Sequence, residues 1–279
     1  MLGKLMKYEW KAIWRILLII NAFTFFVTLL GMLAMHLTVN DKTSLLSDDV
    51  LGIIVVLIFM LYYATIIGVS FAIIIYSGIR FYKNLYTDEG YLMHTLPVTK
   101  WQLIVSKLTI HSVAVLITQL LVLCSIGALF LPLLSVLLED PTISFRYMWN
   151  EFVTFCNSEL NFSIGGFLFI FILATVVGTL NGVLTLYCSI SLGQTFHKHK
   201  VMGSILCYVG IYFFMQTFNT ILMMPQMILH LGMDGMEAEL NFGSYMNGIM
   251  LTTTISCLIT GIIFYFITSY MMSKKLNLD

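Results

Sequence analysis

The chain has 279 residues, of which 59% are hydrophobic and only 10% are charged, and its formal net charge is +0. Soluble domains usually carry about 25% charged residues, so this composition argues against a soluble globular protein and for an integral membrane protein. The basic residues lie at the borders of apolar segments, where membrane topology accounts for them, so nothing indicates binding to nucleic acid.

Six long apolar segments follow one another along the chain, and each is long enough to cross a bilayer as a helix of about 20 residues. No Asp, Glu, Lys or Arg lies in the middle of any segment, whereas ion-coupled carriers place ionisable residues there. The sequence therefore predicts an all-α integral membrane protein without an ion-coupling site. The predicted spans are residues 16–38, 51–79, 103–131, 162–192, 202–224 and 246–272.

The charges alternate in sign between successive connections. All basic residues except Lys42 and Arg146 fall in the N-terminal segment, the second and fourth connections and the C-terminal segment, whereas most acidic residues fall in the other connections. Lys and Arg close to the ends of spans stay on the cytoplasmic side of a membrane. We therefore expect a multi-pass protein with both termini in the cytoplasm.

Residues 1–15 form a basic amphipathic segment ahead of the membrane domain, which we place at residues 16–279. Apolar residues recur at helical spacing on one face of this segment, and basic residues recur on the other. Such a helix lies in the headgroup plane, with its Lys and Arg side chains towards anionic lipid. The alternative is a positive flank that only orients the first span. The residues assigned to the membrane interface are Trp10, Trp14, Lys4, Lys7 and Lys11.

The second connection, which is cytoplasmic in this topology, predicts a short helix. Thr87 suits its N-cap, and Asp88 and Glu89 suit the positive end of a helix. Pro97 should end this helix, because the residue before a proline disfavours helical geometry. Thr99 is then the expected N-cap of the helix that leads into the third span.

The apolar residues of this short helix indicate a docking surface. Tyr91, Leu92 and Met93 would face the cytosol beside the two carboxylates, and exposed apolar residues in a polar rim are typical of a protein interface. The alternative is a tight connection whose Tyr and Leu side chains pack back on the spans.

Two connections on the outer side also contain apolar residues. In the third connection, at residues 132–161, aromatic and apolar residues recur every three or four positions, which predicts a short interfacial helix. In the fifth connection, at residues 221–240, Pro225 interrupts the helical pattern although the apolar character persists to Leu231. We predict a short helix that dips into the outer leaflet there, and the alternative is a span that kinks and ends.

The remaining polar signals are weak. Asn21, Gln119 and Asn219 lie inside predicted spans and could line a substrate path, but amides in membranes more often join helices by hydrogen bonds. The cysteines show no disulfide or zinc spacing, so no metal site is predicted. No serine or cysteine stands in a recognisable nucleophile context, and no phosphate-binding loop is present, so we expect neither catalysis nor an ATP site in this chain.

Residues 87–97 read Thr-Asp-Glu-Gly-Tyr-Leu-Met-His-Thr-Leu-Pro. Together with the amphipathic N-terminal segment and the six spans, this stretch resembles the permease subunits of ABC-2-type ABC transporters, and most closely the small permeases of Gram-positive bacteria. The resemblance covers the whole chain in topology and is specific only in residues 80–107. It implies that residues 1–15 form the elbow helix, that the fifth connection is re-entrant, and that the second connection holds the coupling helix. The coupling residues would be Thr87, Asp88, Glu89, Gly90, Tyr91, Leu92, Met93 and His94.

The resemblance also implies the partners. Two cytosolic ABC ATPase subunits would bind ATP and Mg, and this chain would bind no cofactor. Six spans are half of the usual transport unit, so we expect this chain to pair with a second permease, identical or related. The expected location of the complex is a bacterial plasma membrane.

The substrates of the family that this chain resembles, together with the uncharged spans, favour export or membrane extraction of an amphipathic or hydrophobic substrate. An antimicrobial peptide is the first candidate. One alternative is the substrate-binding membrane subunit of an energy-coupling importer, which would contact its partner through small-residue patches on its spans. Another is a membrane immunity or sensor protein that transports nothing.

Overall fold

The structure, a computed structural model, describes residues 2–39, 48–95, 97–130, 145–159, 164–196, 198–231 and 242–274. All regular structure within these ranges is α-helical. The helices are α1 (Leu2–Val39), α2 (Asp48–Tyr86), α3 (Asp88–Thr95), α4 (Lys100–Leu129), α5 (Phe145–Glu159), α6 (Ile164–Gly193), α7 (Lys200–Leu231) and α8 (Phe242–Lys274).

Six of the described helices are long and apolar enough to cross a membrane, and each overlaps one predicted span. The all-helical class of a multi-pass membrane protein is therefore confirmed. The span-forming stretches are Leu2–His36, Gly52–Tyr86, Lys100–Leu129, Gly165–Gly193, Lys200–Gln226 and Tyr245–Ser273.

The N-terminal region is one continuous helix. We expected an interfacial helix over residues 1–15 followed by a separate span, but α1 runs for 38 residues from Leu2 to Val39. No Gly or Pro occurs between residues 4 and 30, so nothing in the sequence interrupts the backbone hydrogen bonds at the expected boundary. A separate elbow helix is not confirmed.

The two apolar connections that we expect on the outer side differ from each other. α5 confirms that the third connection contains a helix, which extends from Phe145 to Glu159. In the fifth connection the expected break at Pro225 does not occur, because α7 continues through this residue to Leu231. A proline removes one backbone hydrogen bond and can bend a helix without ending it. A re-entrant segment is not confirmed, and residues 232–241 lie outside the described ranges.

The chain divides into two compact units. Unit A comprises Lys7–Tyr76 and Val113–Trp149, and unit B comprises Met1–Met6, Ser77–Ser112 and Asn150–Asp279. In unit A, Val27, Tyr62 and Leu129 form a buried cluster contributed by α1, α2 and α4. A Cβ atom on Gly31 would lie 2.7 Å from the Leu129 Cδ2 atom, so this glycine allows α1 and α4 to approach closely.

In unit B, α6 packs against both α7 and α8, which also contact each other. Leu184 and Cys188 of α6 and Phe264 of α8 form the buried cluster between these helices. A hydrogen bond of 3.4 Å joins the Thr260 hydroxyl to the side-chain oxygen of Asn181. Apolar side chains and one amide thus hold α6 and α8 together.

Hydroxyl groups inside the spans are largely satisfied by their own helices. The Thr28 hydroxyl donates to the Thr24 carbonyl at 2.8 Å, and the Thr268 hydroxyl donates to the Phe264 carbonyl at 2.7 Å. This bonding to the preceding turn removes the need for a second polar partner in lipid. The many Ser and Thr residues therefore leave the spans apolar in character.

Candidate functional site

The predicted short helix is present as α3, which spans Asp88–Thr95 and begins two residues after α2 ends. The Gly90 amide donates to the Thr87 carbonyl at 2.7 Å and closes its first turn. Thr87 therefore stands at the predicted N-cap position. Its hydroxyl, however, donates to the carbonyl of Lys83 and so binds the last turn of α2. The exposed Glu89 carboxylate lies in the first turn of α3, where the helix dipole favours negative charge.

Gly90 brings α3 into backbone contact with α2. A Cβ atom at this position would lie 2.6 Å from the carbonyl oxygen and 2.7 Å from the carbonyl carbon of Leu85. Neither atom belongs to a flexible side chain, so any larger residue would have to move one of the two helices. Leu85 itself is completely buried. α3 is thus seated directly on the end of α2 and cannot shift freely relative to it.

α3 ends at Thr95, before Pro97, and the start of α4 is capped by Thr99 as predicted. Thr99 forms a reciprocal capping box with Gln102: the Gln102 amide donates to the Thr99 hydroxyl, the Thr99 amide donates to the Gln102 side chain, and both distances are 3.4 Å.

Met93 is half-buried, which leaves part of it accessible on α3. The side chains of Asp88, Tyr91, Leu92 and His94 lie outside the described part of the structure.

The end of α2 is tied to α6 and α4 through five buried side chains, Phe81, Tyr86, His111, Tyr187 and Ser191, which we call the aromatic junction. The hydroxyls of Tyr86 and Ser191 lie 2.8 Å apart. The rings of Phe81 and Tyr187 stack with centroids 3.7 Å apart and planes inclined by 8°. The Tyr187 hydroxyl also bonds to the Nδ1 atom of His111.

The aromatic junction packs the last turns of α2, which α3 follows directly, against the rest of unit B. Phe81, Tyr187 and His111 each have 0% of their surface exposed, so no solvent separates these contacts. Closely packed interiors transmit displacement because they have few voids in which to absorb it. The end of α2 is therefore packed without intervening solvent against α6, and α6 against α4.

A lysine at the start of α4 binds the end of α8. The Lys100 ammonium donates to the carbonyls of Met272 and Ser273, at 3.1 Å and 3.4 Å. Carbonyls in the last turn of a helix lack intrahelical partners and lie at its negative end, so a cation stabilises them. α4 is thus held to α6 through His111 and to α8 through Lys100.

Sequence reasoning missed two buried charged residues. Glu9 in unit A is only 5% exposed, and Lys107 in unit B is only 1% exposed. Neither is without a partner, which is expected because an unpaired buried charge is costly. One signal was available for Glu9, which is the single acidic residue in the otherwise basic first 40 positions. From the sequence, Lys107 was counted with the basic residues that border the apolar segments.

The residues assigned to the membrane interface lie on α1. The rings of Trp10 and Trp14 have centroids 5.7 Å apart, and Trp14 is 44% exposed. Lys4, Lys7 and Lys11 are also exposed. A pair of tryptophans, one exposed and one half-buried, beside exposed lysines is typical of a helix segment at headgroup level, and the interfacial role stays a prediction.

The three weak substrate-path residues have different surroundings. Asn219 of unit B accepts a hydrogen bond of 2.7 Å from the Ser256 hydroxyl, which joins α7 to α8. In unit A, Gln119 is exposed, and the side-chain oxygen of Asn21 is buried with no hydrogen-bond partner among the described residues. The geometry of Asn219 favours helix joining, and the substrate-path role of all three stays a prediction.

Comparisons with family models, with curated proteins and with solved structures find no match for this chain. A proposal for its function therefore rests on the apolar helices, on α3 and on the aromatic junction.

Proposed function

We propose that this chain is the permease subunit of an ATP-driven ABC transporter of the ABC-2 type. One observation carries the proposal: an eight-residue helix stands between two span-forming helices and sits on the backbone of the first. Residues 87–97, which contain this helix, also carry the resemblance to that family. A short, rigidly seated helix of this kind is suited to receive force from a motor protein.

In this function α3 is the coupling helix. Two cytosolic ATPase subunits bind ATP with Mg and close towards each other, and α3 moves with the one on which it docks. Glu89 and Asp88 pair with basic groups of that ATPase, while Tyr91 and Leu92 fill its groove. The backbone contact at Gly90 and the aromatic junction then carry the movement to α6 and α4.

The substrate class follows from the spans. The middle of each span carries no Asp, Glu, Lys or Arg, and most Ser and Thr hydroxyls bond to their own helices. Such walls suit an amphipathic or hydrophobic molecule better than an ion or a sugar. We propose export or membrane extraction of such a molecule, an antimicrobial peptide being the first candidate, by a pair of six-span permeases in a bacterial plasma membrane.

The first experiment asks whether the chain works with an ATPase. The tagged chain is purified from its own membranes in mild detergent, and associated proteins are identified by peptide mass spectrometry. We expect an ATPase with a Gly-x-x-x-x-Gly-Lys-Ser/Thr loop whose vanadate-sensitive activity elutes with the chain. A chain that elutes without any ATPase would contradict the proposal and would favour the alternative of an immunity or sensor protein.

The second experiment tests the role of α3. The double variant Tyr91→Ala/Leu92→Ala should lose most of the associated ATPase, because its groove contacts are removed. Tyr147→Ala is the matched control, since Tyr147 is an exposed tyrosine on α5, and it should retain the ATPase. A double variant that assembles and transports normally would leave α3 without a coupling role, as expected of an importer subunit that docks through small residues on its spans.

A further inference from the structure

A cavity of about 670 Å³ lies beside the turn between α6 and α7. Its lining consists of Tyr82 from the end of α2, residues 198–202 and Ile205. None of the described lining residues is a carboxylate, whereas three of them, Lys198, His199 and Lys200, are basic. The proposed coupling mechanism does not use this cavity.

The polar wall of the cavity suits an anion. Lys198 and His199 are exposed, and Lys200 is the first residue of α7. The Gly203 amide bonds to the His199 carbonyl at 2.8 Å, so the amides that precede it in the first turn have no intrahelical acceptor. The positive end of the helix dipole therefore adds to the two lysine charges.

The other wall is apolar and accessible. Val201, Met202 and Ile205 are 56%, 61% and 54% exposed, and they begin the span-forming stretch Lys200–Gln226. The cavity consequently borders the start of a span-forming stretch, where a bilayer around this helix would pass from headgroups to hydrocarbon. Tyr82 contributes a ring with a polar tip, the type of side chain that is enriched at this depth.

The turn that shapes the cavity is tightly built. The Ser204 hydroxyl donates to the Lys200 carbonyl at 2.9 Å, and the Phe196 amide donates to the Gly193 carbonyl at 3.2 Å. A Cβ atom on Gly193 would lie 2.5 Å from the backbone nitrogen of Ser204. The residues on either side of Lys198 and His199 are thus held by hydrogen bonds and close contacts, which lowers the cost of ordering a ligand site beside them.

We propose that this cavity binds the headgroup of an anionic phospholipid. The lipid phosphate contacts Lys198, Lys200 and the first-turn amides of α7, and the first methylenes of the acyl chains lie against Val201, Met202 and Ile205. A free phosphate ion would use the basic wall alone, whereas a phospholipid uses both walls. Basic pockets beside membrane helices are suited to anionic headgroups.

The test is a lipid titration of the purified full chain in detergent, followed by native mass spectrometry. Phosphatidylglycerol should bind saturably and at least about tenfold more tightly than phosphatidylcholine, because only the former carries net charge. Lys198→Ala/Lys200→Ala should weaken phosphatidylglycerol binding about 25-fold, since each basic residue near an anionic membrane contributes about fivefold. Equal retention of the two lipids, or unchanged binding by the double variant, would overturn the proposal.

Three controls distinguish a bound phospholipid from a free anion and from a general loss of surface charge. Lys83→Ala removes an exposed lysine that does not line the cavity, and it should change binding less than about twofold. Lys198→Arg/Lys200→Arg keeps the charge and should keep binding, and the single Lys198→Ala variant serves if the double alanine variant does not fold. Millimolar inorganic phosphate should not displace phosphatidylglycerol, and full displacement would identify a site for free phosphate and contradict the proposal. None of these outcomes depends on an ATPase.

Discussion

The two units bury their tyrosines in different ways. In unit A the Tyr62 hydroxyl lies 2.8 Å from that of Ser125, which also bonds to the Val122 carbonyl at 2.8 Å. In unit B, Tyr187 stacks on Phe81 and bonds to the fully buried His111. The serine in unit A keeps a backbone partner if its tyrosine changes, whereas the aromatic junction combines ring stacking with a side-chain bond at zero exposure. Substitutions of the buried tyrosines should therefore destabilise unit B more than unit A, and α3 belongs to unit B.

The largest effect in this comparison is expected for Gly90→Ala in unit B. The added methyl group would meet backbone atoms of Leu85, and overpacking of this kind costs about 1–3 kcal/mol. Gly127→Ala in unit A is the matched control, because its Cβ atom would enter open space and alanine favours a helix by up to about 1 kcal/mol. The free energy of unfolding in mixed micelles, followed by circular dichroism, measures both. Equal unfolding of the two variants would show that α3 is not seated on Leu85.

A smaller difference is expected between two tyrosine-to-phenylalanine variants. Tyr187→Phe removes a polar partner from a buried imidazole and should cost about 1–2 kcal/mol. Tyr62→Phe should cost about 0.5 kcal/mol, since the Ser125 hydroxyl retains its backbone acceptor. The same unfolding assay measures both, and a larger loss for Tyr62→Phe would reverse the ranking of the two units. Tyr187→Phe should also reduce transport per ATP hydrolysed if the aromatic junction transmits the movement of α3.

The smallest effect concerns the amides inside the spans. Asn219→Leu removes the hydrogen bond to Ser256 and should lower stability by about 0.6 kcal/mol, the average for such bonds between membrane helices. Gln119→Leu in unit A is the comparison, because this side chain is exposed and its replacement should leave stability unchanged. Transport assays on both variants complete the test. If Asn219→Leu keeps full stability but alters transport, Asn219 lines the substrate path and does not join helices.

Local patterns account for much of what could be predicted. The apolar lengths identified the six span-forming helices, and Pro97 and Thr99 marked the end of α3 and the start of α4. The prediction of a break at Pro225 was wrong, because a single proline can be accommodated where apolar residues continue on both sides. The expected boundary near residue 15 concerned the depth of the helix in the membrane. The backbone hydrogen bonds of α1 continue through this position and do not depend on membrane depth.

By itself the sequence determined the membrane class, the order of the helices and the ends of α3, because these depend on side chains within a few residues of one another. Only the tertiary structure decided that Gly90 meets Leu85, that Tyr86 bonds to Ser191, and that Phe81 stacks on Tyr187. It also decided that Lys107 is buried. These contacts depend on how the helices approach one another in space. A pattern of apolar residues predicts that one face of a helix is buried, but it does not predict which side chains of other helices that face contacts.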